Sequence, residues 1–276
     1  MDAALDVSML KLVVALYLVG TATVLTALVV GRRFPRTPLV WLLGIAAALH
    51  AGAILARSVA LGHIAVASLP EALSLLACVI VLVFLIVQRY ASLLALGAVV
   101  LPLAFGLTLG AALGGGGAHP VPVVLHSLWL PVHVLLAILG DALFAIAFSA
   151  SLLYLVQERR LKGRRGRGTF RHLPSLEALD RVSHRCLVWG LVLLTLGIVT
   201  GIVWAHEVWG RPWLMDPKLL FTVGIWALYM VLLQGRMTAG WRGRWAAQLT
   251  VAGFAVIVLS LIGVNVLGLG SHGGMF

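Results

Sequence analysis

The sequence predicts an all-α, polytopic integral membrane protein with about eight transmembrane helices. Of its 276 residues, 62% are hydrophobic and only 11% are Asp, Glu, Lys or Arg, a balance that soluble domains do not have. The apolar residues fall in runs of about 20, the length that crosses roughly 30 Å of hydrocarbon. The basic residues fall in alternate connections between these runs, as expected of loops that share one side of a membrane.

The predicted spans follow one another along the whole chain. The first is followed directly by Gly31-Arg-Arg-Phe-Pro-Arg36 without a small-residue cleavage site, so we predict a retained helix rather than a removed signal peptide. No soluble appendage or convincing repeat interrupts the pattern, and residues 1–276 are predicted to form one integral domain. The spans cover approximately residues 8–30, 38–58, 72–88, 91–113, 125–157, 186–204, 217–235 and 246–268.

The fifth span is unusually long. The preceding segment, Gly114–Pro122, is too rich in Gly and Pro to continue a helix. At 1.5 Å per residue, the predicted helix over 125–157 measures on the order of 50 Å, more than the hydrocarbon needs. We expect the surplus to extend outward, which brings His126 and His133 to the outer boundary on one helical face.

A long basic connection, residues 158–185, follows this helix. Its first half is glycine-rich and charged, which predicts a flexible segment. Its second half has Leu176, Leu179 and Val182 at helical spacing, which predicts a helix along the inner surface ahead of the sixth span.

The charge distribution predicts the orientation. Sixteen of the twenty Lys and Arg residues lie in alternate connections, which the positive-inside rule assigns to the cytoplasm; both termini and the connection 204–218 then face outward from a bacterial inner membrane. The net charge of +11 does not indicate nucleic acid binding, because no soluble reading domain is present, whereas contact with anionic lipid is expected. The sixteen are Arg32, Arg33, Arg36, Arg89, nine residues from Arg159 to Arg185, Arg236, Arg242 and Arg244.

The outer connection 204–218 is the most informative segment. Three tryptophans in one short connection exceed what anchoring at the membrane boundary requires. They predict a flat aromatic platform for a planar ligand, with a carboxylate and an amine beside it. The residues concerned are Trp204, Trp209, Trp213, Asp216 and Lys218.

Among the nine histidines, His133 and His272 are the best candidates for a ligand pair. Imidazole is a good axial ligand for haem iron, and the glycines around His272 allow the chain to turn back toward the surface. Two ligands flanking an aromatic shelf fit a bis-histidine haem. The alternative is that both are ordinary interfacial polar residues.

His50 lies within the second span, where an ionisable residue marks a functional site by default. The alternative is a neutral imidazole bonded to a neighbouring helix. Asp141 is also predicted at membrane depth, either paired or protonated. For Lys218, a role in binding haem propionates competes with anchoring of the seventh span, and Arg57 and Arg211 are the other outer cations for propionates.

Several enzyme classes are excluded by the absence of their motifs. His206-Glu207 is not followed by the second histidine of a zinc protease, because Gly210 stands three residues beyond Glu207. No nucleophile elbow, P-loop or dinucleotide fingerprint is present. Cys78 and Cys186 form neither a C-x-x-C nor a haem-attachment motif, and are interpreted as small core residues.

The segment Trp204–Lys218 resembles the tryptophan-rich WWD signature of the cytochrome c assembly proteins of the CcsA/HemX type, which ends in W-x-W-D-P-K. The section Leu125–Val134 with Tyr154–Lys162 is similar to the conserved-histidine helix of the family. The last inner connection and the terminal helix resemble those of the family at Gly240–Arg244 and Gly263–His272. The resemblance covers most of the chain from about residue 120, with a weaker match around His50.

The resemblance implies a protein of about eight helices that handles haem in cytochrome c biogenesis. The family's two outer haem-ligating histidines fall on His133 and His272, and haem b would be bound non-covalently and transiently for delivery to apocytochrome c. Related proteins also hold haem within the membrane through two histidines. His50 matches the first, but Gln234 stands at the second, and an amide is a poor haem ligand. The family's large external domain is absent from this chain, which implies a second membrane subunit.

The signature departs from the family pattern in two places. Met215 replaces the usual Trp, and Leu219-Leu220 replace an acidic-Thr pair. These departures bring the chain closer to HemX-like and YpjD-like relatives and keep open a non-catalytic regulator of haem metabolism as the alternative function. As an enzyme, the chain would be at most one subunit of a haem–cytochrome c ligation complex. A transporter is disfavoured by the scarcity of intramembrane polar residues and of an inverted repeat.

Overall fold

The structure, a computed structural model, confirms the all-α membrane fold. In the part of the chain that it describes, eight helices are long and apolar enough to cross a membrane. They are α1 (Ala3–Val30), α2 (Arg36–Leu61), α3 (Leu69–Ala91), α4 (Gly97–Leu113), α5 (Trp129–Lys162), α6 (Leu176–Trp209), α7 (Pro217–Thr238) and α8 (Arg244–Val266), with a 3-10 turn at Leu94–Leu96. The described residues are 3–31, 36–66, 68–91, 93–114, 129–163, 173–209 and 217–266, with the backbone alone for 3–7, 208–209, 217–218 and 262–266.

Proline explains where several helices begin. Pro38, Pro70, Pro131 and Pro217 lie within the first three residues of α2, α3, α5 and α7. There the N–H that proline lacks has no acceptor within the helix, and its fixed φ suits the first turn. Pro102 is different because it lies inside α4, where it removes one backbone hydrogen bond from the helix.

Helix α6 is longer than the sequence pattern suggests. Leu176–Trp209 is one continuous helix, whereas we expected a surface helix followed by a separate sixth span. Pro174 and Pro212 bracket this helix, and no proline lies between them to interrupt the backbone ladder. The tryptophan-rich segment 204–218 therefore begins as helix, with residues 204–209 belonging to α6.

The helices pack as two groups of four. In the first group, α1 lies against α2 and α4, and α3 lies against α2 and α4. In the second group, α5 lies against α6 and α8, and α7 against the same two helices; α3 also packs on α5 and joins the groups. The largest fully buried side chains include Tyr17, Phe84, Phe144 and Tyr229.

Polar contacts between helix ends establish that neighbouring helices alternate in direction. Arg36 at the start of α2 donates to the carbonyl oxygen of Gln88 near the end of α3, at 3.4 Å. Arg236 near the end of α7 donates to both carboxylate oxygens of Asp180 near the start of α6, each at 2.9 Å. These contacts lie at the end of the bundle where the basic connections begin.

The opposite end is fastened by a helix cap. The backbone N–H of Ser68 donates to Glu71 at 3.3 Å, and the backbone N–H of Glu71 donates to the Ser68 hydroxyl at 3.4 Å. This reciprocal capping box begins α3. The same carboxylate accepts a hydrogen bond from Arg57 near the end of α2 at 3.3 Å, so the cap also holds two helices together.

Exposed aromatic side chains surround the basic end. Trp41, Tyr90 and Trp245 lie close to the termini of α2, α3 and α8 at this end, and each is more than two-thirds exposed. Aromatic rings of this kind are typical of a membrane–water boundary, and basic residues of its cytoplasmic side. The cytoplasmic orientation of this end remains our prediction.

The Arg236–Asp180 pair provides a test of the packing at the basic end. Asp180→Ala is expected to lower the free energy of unfolding by about 2–3 kcal/mol, because the Arg236 side chain, 6% exposed, would lose its carboxylate. Glu177→Ala is the matched control on the same helix. Its partner Arg181 is 56% exposed, so we expect a loss below about 0.5 kcal/mol. Unfolding in detergent measures both, and equal losses would contradict the structural role of the buried pair.

Candidate functional site

The site is centred on His133, the fifth residue of α5. Its Nδ1 lies 2.8 Å from the carbonyl oxygen of Gly197 on α6. A carbonyl oxygen only accepts hydrogen bonds, so Nδ1 must carry the proton. In a neutral imidazole, Nε2 is then the nitrogen with the lone pair that binds a metal. The hydrogen bond therefore selects the tautomer of His133 that is suited to ligation.

A glycine of α6 makes room for this ring. A Cβ atom added to Gly201 would lie 2.8 Å from Cε1 and 2.9 Å from Nδ1 of His133, but 3.6 Å from Nε2. Distances below 3.0 Å are not compatible with an unshifted ring. The absence of a side chain at Gly201 thus lets the Nδ1 edge of the imidazole lie directly against the α6 backbone.

The indole ring of Trp204 lies beside the same imidazole and parallel to it. The two rings are stacked, with centroids 6.1 Å apart and planes 9° from parallel, and Trp204 is only 5% exposed. Gly197, Gly201 and Trp204 follow one another at spacings of four and three residues, so they share one face of α6. One helical face thus supplies the hydrogen-bond acceptor, the space and the stacking partner for His133.

Several predicted site residues lie outside the described part of the chain. His272, Trp213 and Asp216 are among them, as is His126. Trp209 and Lys218 are described by backbone alone, at the last residue of α6 and the second residue of α7. Trp204 is the predicted platform residue whose surroundings are described, and its ring lies against a histidine rather than at the surface.

His50 is fully buried, and both of its ring nitrogens have partners. Nδ1 lies 3.2 Å from the Tyr17 hydroxyl on α1, and Nε2 lies 2.9 Å from the Ser74 hydroxyl on α3. This arrangement matches the alternative in which an intramembrane histidine bonds to neighbouring helices. Ligation of iron by His50 would require one of these hydrogen bonds to break. Gln234, at the second intramembrane position of the family, is exposed on α7.

The other candidates are separated from His133 in their roles or positions. Arg57, a candidate for binding propionates, is paired with Glu71. His206 is exposed at the end of α6, and Asp141 is partly buried two turns below His133 on α5. Among the residues described, no three His, Cys, Asp or Glu side chains converge in a way that could hold a metal ion. The candidate ligand in the described part of the chain is therefore the single imidazole of His133.

Gly197 and Gly201 are the functional residues that sequence reasoning missed. The pattern Gly197-Ile-Val-Thr-Gly-Ile-Val-Trp204 places two glycines and a tryptophan on one helical face. This pattern signals a close approach by another helix. It does not identify a histidine of α5 as the group that approaches.

Comparisons with known proteins agree on one family. Residues 66–272 match the family described as Cytochrome C assembly protein. The cytochrome c biogenesis protein CcsA of Thermosynechococcus vestitus is 32% identical over an alignment of 286 positions, which covers 88% of this chain and 90% of that protein. The proteins of the same description from Synechococcus sp. (strain CC9605) and Microcystis aeruginosa are 33% and 31% identical, covering 76% and 88% of this chain and 78% and 90% of their own lengths.

The bonds of His50 predict a stability effect. Ser74→Ala is expected to lower the free energy of unfolding by about 1–3 kcal/mol, because it leaves a buried ring nitrogen without its partner. Thr23→Ala is the control, since the Thr23 hydroxyl bonds to the Val19 carbonyl on an exposed face of α1; its effect should stay within about 0.5 kcal/mol. Thermal unfolding of the purified protein compares the two, and a Ser74→Ala protein as stable as the control would argue against the hydrogen-bonded arrangement.

Proposed function

The chain belongs to the cytochrome c assembly protein family, and we propose that it holds haem at its outer face for delivery to apocytochrome c. Membership of the family gives the protein a role in cytochrome c biogenesis as an integral membrane protein, and the described residues include eight helices long and apolar enough to cross a membrane. In our proposal His133 and His272 are the two axial ligands. The observation that carries it is the hydrogen bond of His133 to Gly197, which leaves Nε2 as the ligating nitrogen.

The course of α8 supports a meeting of the two histidines. Phe148 of α5 stacks on Phe254 of α8 with ring centroids 4.6 Å apart, which places these residues at the same level of the bundle. From Phe254 to Val266, α8 rises about 18 Å, and from Phe148 back to His133, α5 rises about 22 Å. Because the helices run in opposite directions, α8 ends within about 5 Å of the level of His133.

The remaining distance is short enough for the chain to cross. His272 lies six positions beyond the end of α8, and six extended residues span up to about 20 Å. The glycines at 268, 270, 273 and 274 permit the sharp turn that a ligand folding back over the bundle requires. His272 is therefore within reach of an iron bound to Nε2 of His133.

We propose that the remainder of the tryptophan-rich segment forms the haem platform. The ends of α6 and α7 bracket this segment, and α6 brings its first residue into contact with His133. Indole rings of Trp209 and Trp213 would stack on the porphyrin, a planar aromatic surface. Lys218 would pair with a propionate, and Asp216 would complete the polar rim of the platform.

The proposed transfer needs components beyond this chain. Haem b would be bound non-covalently and transiently, and its vinyl groups would form thioether bonds with the cysteines of apocytochrome c. His133 and His272 would hold the iron and so would orient the porphyrin edge toward the incoming polypeptide. We propose that a second membrane subunit presents the apocytochrome, and that this chain is at most one subunit of the ligation complex.

A second candidate function is a non-catalytic, HemX-like accessory protein of haem metabolism. It is favoured by Met215 and by Leu219-Leu220 in the tryptophan-rich segment, where the family pattern has a tryptophan and an acidic-Thr pair. The exposed amide at Gln234 also favours it, because an amide does not replace an imidazole as a ligand for haem iron. Such a protein would keep the fold without the transfer activity.

Absorption spectroscopy tests haem binding. The wild-type protein, purified in detergent with haem available, is expected to show a six-coordinate, low-spin haem spectrum. His133→Ala and His272→Ala should each lose this spectrum because one axial ligand is missing. His63→Ala is the control: His63 lies in the α2–α3 connection, where its Nδ1 is 2.9 Å from the Ile64 carbonyl. An unchanged spectrum in His133→Ala would refute the assignment of this ligand.

Complementation separates delivery from binding alone. Expression in a bacterial strain that lacks its own protein of this family is expected to restore covalent c-type haem, detected by haem staining after denaturing electrophoresis. His133→Ala should not restore it. A wild-type protein that binds haem but restores no covalent haem, even with the partner subunit of its own system, would favour the accessory function instead.

A further inference from the structure

Glycines lie along the contact between α5 and α6, and Gly201 is the one that lies against the His133 ring. A Cβ atom added at Gly140 would lie 3.4 Å from the Gly190 carbonyl oxygen. One added at Gly197 would lie 3.6 Å from Ala137. A Cβ atom added at Gly201 would lie only 2.8 Å from the His133 ring. The first two distances are close to ordinary van der Waals contact, whereas the last is not. Gly201 is therefore the position at this end of the seam where a methyl group would move the histidine.

We propose that Gly201 and Trp204 are positioning residues that set the plane and the tautomer of His133 before haem binds. The inference rests on the proposed function, because it concerns how the ligand of that function is prepared. Neither residue is assigned contact with iron. They act by positioning the imidazole: its Nδ1 edge lies against Gly201, and its plane lies parallel to the Trp204 ring.

The hydrogen bond is the part of this arrangement that determines the chemistry. The neutral histidine side chain in water favours the tautomer with the proton on Nε2, which would block that nitrogen as a ligand. The Gly197 carbonyl at 2.8 Å reverses this preference, because only the tautomer with the proton on Nδ1 can donate to it. A donor bond from Nδ1 also raises the electron density on Nε2 and strengthens its bond to ferric iron.

The ring plane is determined by the two neighbours together. Rotation of the imidazole about its Cβ–Cγ bond would drive ring atoms into the α6 backbone at Gly201 or out of the stack with Trp204. The Thr200 hydroxyl donates to the same Gly197 oxygen at 3.1 Å, and more closely to the Leu196 oxygen at 2.8 Å. If the His133 ring is displaced by a few tenths of an ångström, its hydrogen bond weakens, and the Thr200 hydroxyl can take its place at the Gly197 oxygen.

The test compares Gly201 with a helical glycine outside the site. Gly201→Ala is expected to weaken haem binding about 10- to 100-fold, the usual effect of losing an outer-sphere partner of a metal ligand. The midpoint potential of the bound haem should rise in this variant, because an imidazole that donates less electron density stabilises ferric iron less. Gly106→Ala on α4 is the control: it adds the same methyl group inside a membrane-spanning helix, at a position where the added Cβ atom has nothing within 4 Å. Affinity and potential in this control should remain those of the wild type.

A tryptophan series guards against misfolding of the glycine variant. Trp204→Phe keeps an aromatic face and should retain the electron paramagnetic resonance g values of the wild-type ferric protein. Trp204→Leu removes that face and should change them, because the imidazole plane is no longer held. If Gly201→Ala and Trp204→Leu both fold and match the wild type in affinity, potential and g values, the positioning role is refuted.

A measurement without haem separates this inference from the proposed function. In protein labelled with nitrogen-15 histidine, His133 is identified as the signal that His133→Ala lacks. We expect it to carry its proton on Nδ1 in the wild type, and to populate the other tautomer in Gly201→Ala. A wild-type His133 protonated on Nε2 overturns the inference. A colourless wild type with the expected tautomer overturns the haem proposal and leaves the positioning of His133 intact.

Discussion

The close approach of α5 and α6 is the contact on which the site depends. Gly140, Gly190, Gly197 and Gly201 lie along this contact, and their missing side chains let the two backbones lie close together. At the basic end, the contact continues with a hydrogen bond of 2.9 Å between the hydroxyls of Ser151 and Ser183. At the opposite end it terminates in the imidazole of His133. A single helix pair thus extends from the polar connections at one end of the bundle to the candidate ligand at the other.

His50 and His133 differ in the groups to which they are hydrogen-bonded. His50 is held by the hydroxyls of Tyr17 and Ser74, so both of its nitrogens contribute to joining α1, α2 and α3. His133 bonds to a backbone carbonyl through Nδ1. A hydroxyl can donate or accept, whereas a carbonyl can only accept. His50 can therefore adopt either tautomer, while His133 is restricted to the one with its lone pair on Nε2, the nitrogen that we propose as the ligand.

Several intramembrane hydroxyl groups form hydrogen bonds within their own helix. The hydroxyls of Thr21, Thr108, Ser149 and Thr250 each donate to the carbonyl four residues earlier in their own helix, at 2.7–2.8 Å. Such bonds require no partner helix and remove an exposed donor from hydrocarbon. Bonds between helices are instead made by His50, by Ser151 with Ser183, and by Trp226 with Thr195. These pairs specify which helices are neighbours.

The sequence by itself determined the number of spans and the family, because both depend on local properties. Hydropathy over about 20 residues locates a span whatever it packs against, and the segment Trp204–Lys218 is a contiguous motif. The continuity of α6 also has a local cause, the absence of proline between Pro174 and Pro212. The charged residues at the start of α6 instead suggested a separate surface helix. Only the tertiary structure decided that Trp204 stacks on His133 and that His50 bonds to Tyr17 and Ser74. Residues more than twenty positions apart meet through helix rotation and depth, and these are set by packing between helices.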